Sequence, residues 1–134
     1  MGNPTILIAD DDQVLVALLS ATLAARGFDL MVAYDALQAT MTLRRTVPRL
    51  IILDVNMPAG SGLEVLKRLR LAPKNHAVRV LAVSANTDPE LPKTLKAMGA
   101  DAFQQKPLDL ETLHETVCRL VGNVRSASPS LQAA

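Results

Sequence analysis

Ile6-Leu7-Ile8-Ala9-Asp10-Asp11-Asp12 is an unbroken apolar run that ends in three carboxylates. A strand with one wet face alternates polar and apolar residues. A continuous run reads instead as a strand buried on both faces, as in a parallel sheet covered by helices. Three further runs have this form: Leu50-Ile51-Ile52-Leu53, followed by Asp54; Val80-Leu81-Ala82-Val83, followed by Ser84; and the weaker Leu30-Met31-Val32-Ala33. The rhythm of the chain places a fifth strand at Ala102 to Gln105, although its alternation is poor. Lys106 and Pro107 follow it.

Helical patterns separate these runs. Val14, Leu15, Leu18, Leu19, Thr22 and Leu23 form an apolar stripe that ends at Gly27. Asp35 is placed to cap a second helix carrying Leu37, Met41 and Leu43, which stops before Pro48. Leu63, Leu66 and Leu69 mark a third, with Lys67, Arg68 and Arg70 expected to face water. Pro89 and Pro92 delay the fourth, since proline is tolerated only in a first turn. It is predicted to be short, starting near Leu91 and ending before Gly99. Leu110, Leu113, Val117, Leu120 and Val121 mark the last helix, capped by Asp109 and ended by Gly122. Five β-α units with right-handed crossovers give an α/β fold, a doubly wound parallel five-stranded sheet with helices on both faces.

At 134 residues the chain suits one domain, expected over residues 1–122, with the polar stretch 123–134 a flexible tail or the start of a linker. Fourteen Lys and Arg balance 13 Asp and Glu, a formal net charge of +1. That balance argues against bulk electrostatic binding to nucleic acid or membrane. The only aromatics are Phe28, Tyr34 and Phe103, too few for a base-stacking platform. A single cysteine, Cys118, excludes an internal disulfide and a cysteine-cluster metal site. No apolar run approaches the roughly 20 residues of a spanning helix. With no targeting signal at the N-terminus, a cytoplasmic setting is expected. His76 and His114 read as surface residues, Cys118 as packed or half-exposed, and Arg44, Arg45 and Arg49 as a solvated helix end rather than a basic patch.

In open α/β sheets, sites form at the carboxyl ends of the strands. Those ends carry Asp10, Asp11, Asp12, Asp54, Ser84 and Lys106. Carboxylates a few ångströms apart repel by roughly 4 kcal/mol per pair at an effective dielectric near 20. A divalent cation resolves the conflict, and all-oxygen ligands suit Mg²⁺, Mn²⁺ or Ca²⁺ rather than zinc. A cation, a lysine and a hydroxyl around one carboxylate are suited to a phosphoryl group, with Asp54 as the nucleophile forming an acyl phosphate. Asp12 reads either as an N-cap of the first helix or as a further metal ligand.

From about Thr5 to Val121 the chain resembles the response-regulator receiver domain of two-component signalling. The resemblance rests on the pair Asp10-Asp11, on Asp54-Val55-Asn56-Met57-Pro58-Ala59-Gly60-Ser61-Gly62, on Ser84-Ala85 and on Lys106-Pro107, in that order and spacing. It implies a flavodoxin-like fold with strand order 2-1-3-4-5. It also implies that Asp54 is the phospho-acceptor and that Asp10, Asp11, Asp54 and the Asn56 backbone carbonyl hold Mg²⁺ or Mn²⁺. The backbone N–H groups of Asn56 and Ala85 would meet the phosphoryl oxygens, as would Lys106. Ser84 and Phe103 would be the switch pair. The family often has Thr and Tyr at these two positions; Phe103 lacks the hydroxyl that would stabilise an outward state. The implied partners are a sensor histidine kinase or a histidine phosphotransfer protein as donor, and a downstream target or output domain read through the face made by the fourth helix, fifth strand and fifth helix. A homodimer through that face stays open. The chain is expected to be a stand-alone receiver or one excised from a larger protein. Its expected activity is phosphoryl acceptance with slow self-dephosphorylation rather than enzymatic turnover.

Two rival readings exist. Asp10, Asp12 and Val14 also fit the first motif of haloacid-dehalogenase-like phosphatases, with Asp10 as nucleophile and Asp12 as acid/base. Against this, the chain is short and the lone Asp101 does not supply the late acidic pair such enzymes need. The other rival is a receiver-like docking module that is never phosphorylated, against which the complete site argues.

Overall fold

A computed structural model describes residues 2–122. The elements run β1 (Thr5–Ala9), α1 (Gln13–Ala24), β2 (Asp29–Ala33), α2 (Ala36–Arg45), β3 (Leu50–Asp54), α3 (Gly62–Leu71), a single 3-10 turn (Pro73–Asn75), β4 (Arg79–Ser84), α4 (Leu91–Ala97), β5 (Ala102–Gln105) and α5 (Leu110–Gly122). The five strands form one parallel sheet in the order β2-β1-β3-β4-β5. The expectation for the tail at 123–134 lies outside the described residues.

Alternate residues of the central strands feed two cores. Ile6, Ile8, Leu50, Ile52, Leu81 and Val83 pack on one face with Val16, Leu19 and Leu23 of α1 and Leu113, Val117 and Leu120 of α5. Leu7, Ile51, Leu53 and Val80 pack on the other with α2, α3 and α4. Burial of each such aliphatic side chain stabilises by about 1.5–3 kcal/mol before chain entropy is counted. The double-sided burial explains why the strands read as unbroken apolar runs.

The helical faces differ from expectation in two places. In α1 the residues turned inward are Val16, Leu19 and Leu23, whereas Val14 and Leu18 are exposed. The helix is apolar almost all round, so its periodicity does not select a face. In α2 the sheet side is formed by Ala36, Ala39 and Leu43, and the larger Leu37 and Met41 face outward. The loop after β3 comes close to the start of this helix: a Cβ on Gly60 would stand 3.2 Å from the Ala36 Cβ.

Arg70, expected in water, is half-buried. Its Nε donates to the Gly99 carbonyl at 3.0 Å and its guanidinium pairs with Asp101 at 3.1 Å. Gly99 has φ +108, and a side chain there would press on the Arg70 stem. Asp101 also pairs with Arg79 at 3.1 Å and accepts the Val80 N–H at 2.8 Å, so one carboxylate joins α3, β4 and the entry to β5. Burial lowers the proton affinity of Arg70 and the charge on Asp101 opposes this.

Candidate functional site

Strand register assembles the site. Ala9 pairs with Leu53, so the next residues, Asp10 and Asp54, leave the sheet side by side. Asp54 pairs with Val83, one residue before Ser84, and Ser84 pairs with Gln105, one residue before Lys106. The Lys106 N–H extends this ladder by donating to the Ser84 carbonyl at 2.8 Å. The Lys106-Pro107 peptide bond is cis.

Asp10 and Asp54 are buried, at 1% and 4% exposure, while Asp11 is exposed. One carboxylate oxygen from each of the three lies within 4.8 Å of the others. Lys106 Nζ sits 2.9 Å from Asp10 Oδ2 and 3.3 Å from Asp54 Oδ2. Asp10 Oδ1 accepts the Asp12 N–H at 2.9 Å, and Asp54 Oδ1 accepts the Asn56 N–H at 3.0 Å. Burial pushes the Asp54 carboxyl above its ordinary value and the Asp10 charge adds to the push; the Asn56 N–H and Lys106 pull the other way. Burial alone would lower the proton affinity of Lys106. Its hydrogen bond to Asp10 and the charges of both aspartates outweigh that, and the amine stands above its ordinary value.

One ammonium is shared between two buried carboxylates, with a third alongside. Asp10 Oδ2 is fully buried and its one close partner is the Lys106 ammonium at 2.9 Å. A carboxylate oxygen with a single partner keeps a lone pair free for a further ligand. The all-oxygen donor set fits a hard divalent cation such as Mg²⁺ or Mn²⁺.

Ser84 is fully buried, and its Oγ accepts from the Asn86 N–H at 3.0 Å and from Asn56 Nδ2 at 3.3 Å. The Ala85 N–H makes no hydrogen bond among the described residues. Phe103 is half-buried and packs against the core formed with α2, α3 and α4. The structure thus brings Asp10, Asp11, Asp54 and Lys106 together, with Ser84 joined to them through Asn56. Asp12 caps α1, its Oδ1 accepting from the N–H groups of Val14 and Leu15. Of its two sequence readings, the cap is the one these hydrogen bonds match.

The sequence reading assigned Asn56 only backbone roles. Its side chain also bridges the ends of β3 and β4, a role signalled only by an amide two residues beyond Asp54. Gly62, the first residue of α3, donates its N–H to the Val55 carbonyl at 2.9 Å. A Cβ there would collide with the Asp54 carbonyl and stand 2.6 Å from the Val55 Cα. His114, read as a surface residue, is half-buried and contacts Arg26 Nη1 at 2.7 Å and Cys118 Sγ at 3.2 Å, and Cys118 is exposed.

The response regulator receiver domain family profile matches residues 6–118. The chain is 30% identical over 117 residues to the sporulation initiation phosphotransferase F of Bacillus subtilis, covering 87% of this chain and 93% of that protein. It is 32% identical over 129 residues to the alkaline phosphatase synthesis transcriptional regulatory protein PhoP of the same organism, covering 96% of this chain. It spans about half the length of that regulator and of others it matches. The chemotaxis response regulator CheY4 of Vibrio cholerae superposes with a TM-score of 0.82 at 30% identity, covering 88% of this chain and 98% of that one. Profile, relatives, strand order and acidic pocket agree, and the chain belongs to the response regulator receiver domain family.

Proposed function

We propose that this receiver domain takes a phosphoryl group onto Asp54 from the phosphohistidine of a sensor histidine kinase or a histidine phosphotransfer protein. The supporting observation is a buried Asp54 at a strand end, with two more carboxylates and one lysine gathered about it. One Asp54 oxygen attacks phosphorus, and the P–N bond to the donor imidazole breaks with its electron pair returning to nitrogen. The product is an aspartyl phosphate.

Asp10, Asp11, Asp54 and the Asn56 carbonyl would hold Mg²⁺ or Mn²⁺, which offsets the negative charge gathered in the transition state. Lys106 pairs with a phosphoryl oxygen as its contact with Asp54 loosens. The N–H groups of Asn56 and Ala85 meet the remaining oxygens, with the Ser84 hydroxyl. Ser84 already accepts two hydrogen bonds and keeps its own proton to donate. The phosphoryl group brings about −1.5 to −2 charges and three acceptors, and groups that reach it in only one conformation shift the equilibrium toward that conformation. Phe103 follows Ser84, and the face of α4, β5 and α5 is read by a target protein or output domain. The acyl phosphate is lost slowly to water, and a homodimer through that face is one way of reading it. A cytoplasmic setting fits phosphohistidine donors.

Incubation with Mg²⁺ and acetyl phosphate should add one phosphoryl group by intact mass and shift the amide signals of Asp54, Ser84 and Phe103. Asp54→Asn should abolish the addition. Addition that persists in Asp54→Asn would overturn the assignment, and wild-type protein that takes no label and shows no shifts would support the inert module.

A further inference from the structure

A groove runs between α2 and α3 on the face away from α1 and α5. At its floor is a cavity of about 160 Å³, walled by Leu43, Val65 and Leu69 and rimmed by Arg44, Arg68 and Lys74. A second hollow sharing Thr40, Arg44, Val65 and Arg68 continues it to Ala59 and Gly60, in the loop after Asp54. Leu37 and Met41 stand exposed along that stretch. Three observations say what belongs there.

The first is charge. Residues 36–45 and 62–75 carry six basic side chains and one acid, Glu64, in a chain whose formal net charge is only +1. Arg70 is committed to Asp101. No described carboxylate lies within 4.0 Å of Arg44, Arg68 or Lys74. The second is an unpartnered acceptor. Asn75 lines the cavity, is 3% exposed, and its buried Oδ1 has no hydrogen-bond partner. The third is size. An apolar cavity of about 150 Å³ holds a benzene-sized group, so this one has room for a single large apolar side chain.

We propose that the α2–α3 groove docks an acidic segment of a partner protein. Its apolar anchor side chain enters the cavity, and the Asn75 amide, whose buried Oδ1 lacks a partner, turns to accept an N–H beside the anchor. Carboxylates on either side of the anchor pair with Arg44, Arg68 and Lys74. Lys74 Nζ, donating to the Arg44 carbonyl at 2.7 Å, joins the end of α2 to the turn after α3 and fixes the groove's width. The surface is separate from the α4-β5-α5 face, so both can be engaged at once.

The test uses the full chain, unphosphorylated, and a fluorescein-labelled peptide with a Leu-Phe core between runs of Glu. Binding should perturb the amide signals of Thr40, Leu43, Arg68 and Asn75 and weaken as salt is raised. Arg44→Glu with Arg68→Glu, both on the surface, should weaken it by about tenfold or more, as expected for lost charge-assisted contacts. Replacing the Leu-Phe core by Ser should weaken it comparably, as should Ala72→Phe, which crowds the cavity. Equal binding of a Lys counterpart, perturbations mapped elsewhere, or indifference to the double charge reversal would overturn the proposal. Tighter binding of heparin or of phosphatidylserine vesicles than of the peptide would also overturn it, in favour of a polyanion or a lipid surface.

Discussion

Asn56 Nδ2 donates to Ser84 Oγ across 3.3 Å, so the residue two positions beyond Asp54 is tied to the hydroxyl at the end of the neighbouring strand. This bond spans the opening between β3 and β4, where Ser84 is fully buried. Asn56→Ala should lower stability by about 0.5–1.5 kcal/mol, the usual net value of one such bond, as read by urea denaturation. Acetyl phosphate labelling should survive, because the backbone groups of residue 56 remain. Labelling lost together with an intact fold would show that the side chain does more than hold Ser84.

Asp54 gives a pH signature. Its carboxyl stands above the ordinary value of 3.8 in the folded chain, chiefly through burial. As pH rises past 3.8 the unfolded state loses its proton while the folded state keeps one, so stability falls until the folded value is passed. Asp54→Asn should remove this decline and raise the metal-free melting temperature at neutral pH. Thermal scans from pH 3.5 to 8 check both; a variant less stable than wild type at neutral pH would contradict the prediction.

Mg²⁺ should reverse that penalty. Ligation needs an ionised Asp54, so the Mg²⁺-induced rise in melting temperature should be full at neutral pH and fade as pH falls toward the folded value of Asp54. EDTA should restore the metal-free curve. A rise that is independent of pH would place the cation elsewhere.

Lys106 acts in the opposite sense at alkaline pH. Its ammonium is raised above 10.5 by Asp10 and Asp54 despite burial, so its contribution is complete below 10.5 and lost as pH climbs through the folded value. Lys106→Met should flatten that alkaline loss. At neutral pH it should cost about 1–3 kcal/mol, since it leaves Asp10 and Asp54 buried side by side without a counter-charge. Asp54→Asn added to Lys106→Met should recover part of the loss, and a double-mutant cycle measures how much.

Gly62→Ala should destabilise by about 1–3 kcal/mol, within the range for forced backbone shifts in packed regions. The new methyl meets the Asp54 carbonyl and Val55 Cα, neither of which is a movable side-chain end. Labelling at Asp54 should slow as well, because the residues that must shift carry the carboxylate.

Much of this was legible in the chain itself. Buried parallel strands leave an unbroken apolar run, and the residues just beyond each run become lateral neighbours through register alone, which is how Asp10, Asp54, Ser84 and Lys106 could be collected. Asp35 reads as a cap, and Asp12 as a cap or a further metal ligand, because a carboxylate before an apolar helix has open N–H groups to satisfy; both cap their helices. Pro92 set the late start of α4. What escaped depends on contacts between distant segments. The inward face of α1 is chosen by α5 and the sheet, since Val14 and Leu18 are as apolar as Val16. Arg70 resembles its solvated neighbours Lys67 and Arg68 until Gly99 and Asp101 are placed beside it. The Asn56 amide gives no hint of its partner 28 residues away.

The carboxylate of Asp101 has a mechanical consequence. Bound to Arg70, Arg79 and the Val80 N–H, it fastens the first end of β5, and the Lys106 N–H on the Ser84 carbonyl fastens the last. A four-residue strand moored at both ends cannot slide or peel without breaking several bonds together. Any reorientation of the half-buried Phe103 would therefore be confined to torsions about χ1 and χ2, with its backbone held still.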